Sequence, residues 1–279
     1  MPTQTLTAKP KALDAAFGAE FIDCDLTSQT DFGWIGYALA EHAVLVFRNQ
    51  NLDAGQLAAL GRKLGEPRPH VLVNYRTADH PEVSMLTNVD ADGKVDQFGV
   101  SRASAWHSDM TYDSDLPKLA ILHSLEVPSK KGGTMFADMR AAYDALPEAT
   151  KEKMDGLIAV HGGAAGPAGY RRNAPEEGPA RADGGHEARH PAVRRHSVTG
   201  RKILFVNPMH TMRFDGMPVQ ESEDLIMELS GNATRDQNTY YHDWAVGDVV
   251  IWDEASVVHR NAGDYDPAER RIFFRTIVF

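Results

Sequence analysis

His107 and Asp109 stand two positions apart in the run Trp106-His107-Ser108-Asp109, and a further imidazole, His259, comes far along the chain. Two imidazoles and a carboxylate form a donor set that binds Fe(II) on one face and leaves coordination positions open, as activation of O2 requires. In an extended segment, residues i and i+2 point the same way, so His107 and Asp109 can reach one ion while Ser108 points away. The third donor, His259, has to be brought there by folding. With 12 histidines in the chain, a His-X-Asp tripeptide alone is a weak signal, because buried polar groups usually just find hydrogen-bond partners.

A second feature lies near the C-terminus. Arg271 and Arg275 are four apart in a run of β-branched and aromatic residues, so on a strand they share one face with Phe273. Two guanidinium groups on one face call for an anion, and the planar fork of Arg pairs bidentately with a carboxylate where Lys cannot. Surface arginines balancing an acidic chain are the plainer explanation. Gly132-Gly133-Thr134 is either an ordinary turn or a place where a hydroxyl and the backbone come close to a bound anion. His123, inside an apolar run, reads as a core side chain, and Cys24 as a small packed one.

The elements that would carry these groups are mostly strands. Phe17 to Ile22, Ala43 to Phe47, Glu82 to Thr87, Leu119 to Val127, Ile203 to Asn207, Val249 to Trp252 and Arg271 to Phe279 have strand length and strand composition. Helices are predicted from an Asp31 cap to about Glu41 and from an Asp53 cap through Leu57, Leu60 and Leu64 to Gly65. Two short ones follow over 138–146 and 147–157, and another over 221–230 with Gly231 as its stop. Lys94 to Ala105 has no period and reads as a mobile loop leading into the ligands. Gly162 to Gly185 is crowded with Gly, Pro, Ala and charge, which predicts a flexible lid or an insertion. The basic stretch from Arg171 and Arg172 through Arg181, Arg189, Arg194 and Arg195 to Arg201 and Lys202 reads as a solvated face, or else as a patch that steers an anion. Many short strands, few helices and no linker between two cores indicate one domain over 1–279, a closed or sandwiched antiparallel sheet.

Composition narrows the function further. The 279 residues carry 42% hydrophobic and 24% charged side chains and a formal charge of −10. That balance suits a globular protein and disfavours nucleic acid as a partner, since phosphate binding needs clustered Lys and Arg. The single cysteine excludes an intramolecular disulfide and a cysteine-rich metal site. Nowhere is there an apolar run of membrane-spanning length, and residues 1–14 lack a signal-peptide core, so the expectation is a cytoplasmic protein with no membrane partner.

Taken together, Trp106-His107-Ser108-Asp109, Gly132-Gly133-Thr134, Trp252-Asp253, His259 and Arg271 resemble the taurine dioxygenase and 2,4-dichlorophenoxyacetate dioxygenase family of Fe(II)/2-oxoglutarate oxygenases. The resemblance runs from Phe17-Gly18-Ala19 through Val44-Leu45-Val46-Phe47-Arg48 to the C-terminal arginines. Phe136-Ala137-Asp138-Met139-Arg140-Ala141-Ala142-Tyr143-Asp144-Ala145-Leu146 is similar to the aryloxyalkanoate-degrading branch in particular. It implies a mainly β fold with flanking helices, a double-stranded β-helix (jelly roll, cupin-like), and a homo-oligomer, dimer or tetramer. His107, Asp109 and His259 would hold Fe(II). Arg271 and Thr134 would bind the distal carboxylate of 2-oxoglutarate, while Arg275 and His70 fall where the taurine enzyme meets its substrate. The implied reaction uses O2 to hydroxylate a small anionic substrate, a carboxylate such as an aryloxyalkanoate, with release of succinate and CO2. The alternatives are a taurine-like sulfonate or sulfate-ester dioxygenase, a zinc hydrolase, and a non-catalytic jelly-roll binding module. Two departures stand out: the turn between His259 and Arg271 is one residue longer, which makes Arg270 a competitor for the clamp, and Gly162 to Gly185 has no counterpart.

Overall fold

The computed structural model describes residues 10–90, 92–169 and 187–279. In chain order its elements are β1 (Lys11–Ala12), β2 (Ala19–Phe21), α1 (Gly33–His42), β3 (Val44–Phe47), α2 (Ala54–Leu64), β4 (Val83–Thr87), α3 (Gln97–Ser101), β5 (Leu119–Glu126) and β6 (Thr134–Asp138). Then come α4 (Met139–Asp144), α5 (Glu148–Met154), β7 (Ile158–Gly162), β8 (Glu187–Pro191), β9 (Val193–Arg195), β10 (Lys202–Leu204), β11 (Thr211–Phe214) and α6 (Val219–Ala233). The last four are β12 (Thr239–His242), β13 (Val249–Asp253), β14 (Val257–Asn261) and β15 (Ile272–Val278).

Seven strands form the main sheet in the order β1-β2-β3-β13-β5-β15-β4, antiparallel except for the β2/β3 pair. Its strands read as continuous apolar runs because both faces are covered. Leu45, Phe47, Ile121, Val249 and Ile251 pack with Ile35 and Leu39 of α1 and Leu57 of α2. The alternate residues Val44, Val46, Leu122, Val250 and Trp252 face the second sheet, β12-β6-β14, and pack with its Phe136 and Val257. Two apposed sheets with helices outside make the double-stranded β-helix of a jelly roll. A three-stranded sheet β11-β7-β8 and the β9-β10 hairpin extend one side, where α4 and α6 build a third cluster around Phe214 and Ile226.

Local signals explain several element ends. Asp53 and Gln56 form a reciprocal capping box on α2, with Asp53 Oδ1 accepting from the Gln56 N–H at 2.7 Å and Gln56 Oε1 accepting from the Asp53 N–H at 2.9 Å. Gly65 follows because the last residue passes close by; a Cβ there would lie 2.6 Å from the Phe279 carbonyl oxygen. Glu66 and Phe279 exchange backbone hydrogen bonds, so the final residue is tied to the domain.

Some expectations change. Asp31 is not the cap of α1; its carboxylate accepts from the Gly33 N–H at 2.8 Å, and Phe32 occupies the cap position. The stretch read as a loop before His107 contains α3, capped by Asp96, whose side chain accepts from the Phe98 N–H. Helix α6 starts directly after Pro218 and runs through Gly231 to Ala233, because Pro218 ends the preceding turn and Leu229 and Ala233 keep the apolar face going. Residues 162–169 form a turn seated on residues 208–210, with Ala164 buried; the rest of the expected lid, with Arg171, Arg172 and Arg181, lies outside the described residues. Among the described basic residues, Arg189, Arg201 and Lys202 pair with Asp215, Asp144 and Asp155 and stay with the solvated face.

Candidate active site

His107 and His259 are joined by the backbone before their side chains meet anything. Each donates its N–H to the other's carbonyl, at 3.0 and 2.7 Å, in an isolated antiparallel bridge. The expectation that His107 and Asp109 sit on a regular strand is therefore corrected: only His107 is paired, and Asp109 is in a turn before Met110, which has φ +54°. Ser108 does point away, donating its hydroxyl to the Val257 carbonyl at 2.7 Å. One donor atom from each of His107, Asp109 and His259 lies within 4.8 Å of the others, and all three residues are buried. Among the described residues, this is the one such cluster of three or more metal-ligating side chains.

The protonation states suit a cation. Burial lowers the pKa of both histidines, and His259 is held well below the ordinary value by its neighbour His107 as well. His107 Nδ1 faces the Ala105 carbonyl at 2.9 Å, which can only accept, so Nδ1 carries the proton and Nε2 keeps its lone pair. Burial alone would raise the Asp109 pKa, but the Arg275 guanidinium holds it well below the usual carboxylate range. Arg275 Nη1 donates to Asp109 Oδ2 at 3.1 Å. His259 Nδ1 is buried with no hydrogen-bond partner among the described residues. Neutral imidazoles beside a carboxylate, with a ring nitrogen unsatisfied, fit a divalent iron ion.

One cavity is lined by His107 and His259 together with Arg271, Thr134, Leu122 and Trp252. Arg271 is half-buried and fixed on three sides. Its Nε donates to the Gly132 carbonyl at 2.8 Å, its Nη2 to Thr134 Oγ1 at 3.3 Å, and its backbone N–H to Asn88 Oδ1 at 2.8 Å. Burial pushes its pKa down to about 10, so it remains a cation at neutral pH, and no described carboxylate pairs with it. Arg270 instead forms an exposed ion pair with Glu126 at 2.7 Å. Thr134 Oγ1 also accepts from the Trp244 indole N–H at 3.0 Å, which leaves its hydroxyl hydrogen to be donated to a ligand. Gly133 packs closely: a Cβ there would fall 2.3 Å from the Tyr241 ring.

A second cavity shares His107, Arg102 and Arg275 with the first. His70 and Arg275, expected at a substrate site, both line it, together with the apolar side chains of Leu72, Leu86, Met110 and Met209. Burial first, then Arg275 and Arg102, keep the His70 pKa well below its ordinary value. His123 is a buried core residue, its Nε2 accepting from the Leu52 N–H. Sequence reasoning missed Trp244, Arg102, His210 and Glu254. None carries a local signal: Glu254 stands two residues after Trp252 but in the turn beyond β13, where strand alternation does not place it.

The sequence model of the "Taurine catabolism dioxygenase TauD, TfdA family" matches residues 7–277. The chain belongs to this family. It is 35% identical over 272 residues to the alpha-ketoglutarate-dependent 2,4-dichlorophenoxyacetate dioxygenase of Cupriavidus pinatubonensis, covering 92% of this chain and 91% of the relative. Identity is 30% over 289 residues to the alpha-ketoglutarate-dependent sulfate ester dioxygenase of Pseudomonas putida, covering 97% and 91%. The solved structure of AAD-2 in complex with Mn(II) and N-oxalylglycine superposes with a TM-score of 0.84 at 26% identity, covering 98% and 97%. The protein is thus an alpha-ketoglutarate-dependent dioxygenase, with Fe(II), 2-oxoglutarate and O2 as its cofactor set. The zinc hydrolase and the binding module fall away with that membership.

Proposed function

We propose that this dioxygenase hydroxylates a small carboxylate, of the aryloxyalkanoate type, at a site built from His107, Asp109 and His259 for the metal, Thr134 and Arg271 for 2-oxoglutarate, and Arg275 and His70 for the substrate. The observation that carries the reading is a buried three-donor cluster whose two histidines line one cavity with Arg271, a cation with no described carboxylate partner.

When bound, iron with 2-oxoglutarate and O2 supplies an oxidant that replaces a substrate C–H by C–OH, while the cosubstrate leaves as succinate and CO2. The chain's own residues set where this happens. His107, Asp109 and His259 would hold the ion, a donor set that leaves positions open for exchangeable ligands. Arg271 and the Thr134 hydroxyl would bind the far carboxylate of the cosubstrate and orient it. Leu122 and Trp252 add apolar lining that would help exclude water from the chamber. In the second cavity, Arg275 pairs with Asp109 and lines the space a substrate anion would enter. The apolar walls fit an aryl or alkyl body better than a compact polar one.

Two relatives support the carboxylate: the 2,4-dichlorophenoxyacetate dioxygenase, and an (S)-phenoxypropionate/alpha-ketoglutarate-dioxygenase of Sphingobium herbicidovorans at 35% identity over 274 residues. The sulfate-ester relative keeps the sulfur oxyanion as the alternative. A panel of phenoxyacetate, 2-phenoxypropionate, an alkyl sulfate and taurine, read out as succinate release, tests the choice. Fastest turnover is expected with an aryloxy acid; turnover with the sulfur compounds alone would overturn the carboxylate reading.

A further inference from the structure

A second carboxyl group lies within the site and is not one of the three clustered donors. Glu254 is 2% exposed and uses both oxygens. Oε2 accepts from the Asp109 backbone N–H at 2.8 Å, and Oε1 accepts from the Trp252 indole N–H at 2.6 Å. The Trp252 ring in turn lies 4.8 Å from the His259 ring, centroid to centroid. Its own backbone is fixed too: the Glu254 N–H donates to the Lys118 carbonyl at 3.1 Å. Asp253, on the other side of the chain, holds the turn through the Ala255 N–H, the Ser256 hydroxyl and His196.

We infer that Glu254 is a positioning residue that clamps the turn bearing Asp109 to the indole beside His259, and so sets the geometry of two metal donors at once. Nothing else described holds the Asp109 N–H, and Asp109 has no strand to fix it. The residue type follows from the donors. Two N–H groups converge on one side chain, so both of its terminal atoms have to accept. A glutamine of the same shape would turn its NH2 towards one of them and lose that bond. The inference rests on the metal role proposed above for His107, Asp109 and His259.

The experiment measures Mn(II) affinity by calorimetry in the presence of 2-oxoglutarate, and the anaerobic Fe(II)–2-oxoglutarate absorption band, in the parent protein, Glu254→Gln, Trp252→Phe and Glu126→Gln. Loss of a partner that orients a metal ligand typically costs about 10- to 100-fold in metal affinity. That loss, with a displaced absorption band, is expected for Glu254→Gln, a smaller loss for Trp252→Phe, and none for the exposed Glu126→Gln. Simple destabilisation would lower the melting temperature without moving the band. A folded Glu254→Gln with parental affinity and band overturns the inference; if that variant does not fold, unchanged affinity and band in Trp252→Phe overturns it. A parent that binds no Mn(II) would instead sink the metal site itself, which keeps the two failures apart.

Discussion

At the scale of single residues, two adjacent arginines have opposite roles. Arg271 is half-buried against Gly132, Thr134 and the Phe273 ring, while Arg270 is spent on an exposed pair with Glu126. Truncating a buried charge partner typically costs about 2–5 kcal/mol, against roughly 1 kcal/mol or less for an exposed pair. Steady-state kinetics of Arg271→Ala should therefore show the Michaelis constant for 2-oxoglutarate raised by at least about 30-fold. Arg270→Ala should leave it within about 5-fold, and the reverse pattern would reassign the clamp. His107→Ala removes one of three donors and is expected to abolish the anaerobic iron–2-oxoglutarate absorption band. A band that survives would take His107 out of the site.

At the scale of elements, Gly133 and the α2 cap separate function from stability. Gly133→Ala would push a methyl group into the Tyr241 ring just where β6 begins at Thr134, so its effect should reach the cosubstrate. Overpacking of this kind costs about 1–3 kcal/mol. The expected result is a lower melting temperature together with a raised Michaelis constant for 2-oxoglutarate, both largely restored when Tyr241→Ala is added. Failure of the second substitution to restore either would show that the Tyr241 contact is not the reason for the glycine. Asp53→Ala deletes only a cap, costing about 1 kcal/mol. Thermal melting should fall by a few degrees, with kcat unchanged, since α2 packs on the outer face of the main sheet away from both cavities.

Across the whole molecule, the site joins parts of the chain that meet only when the jelly roll closes: the turn at Asp109, β6, β14 and the start of β15. A ligand that bridges them binds the folded state alone and should stabilise it. At 100 times its dissociation constant it adds about 2.7 kcal/mol, so Mn(II) with N-oxalylglycine should raise the melting temperature by several degrees, and a chelator should reverse the shift. No shift would mean that the donors do not share an ion. The described helices include none long and apolar enough to cross a membrane. Much of this was legible in the residue order. The apolar runs at Val44–Phe47, Leu119–Glu126 and Val249–Asp253 became strands of the main sheet and the Asp53 cap formed, because strand alternation and capping are local physics; His107, Asp109 and His259 stand out by residue type, and folding brings them into one buried cluster. What only the tertiary structure decided was non-local: which of Arg270 and Arg271 turns inward, that the Tyr241 ring packs against Gly133, and that Glu254 accepts from the Asp109 N–H 145 residues away. Those outcomes depend on which strand pairs with which, and pairing between distant segments leaves no periodic trace in either of them.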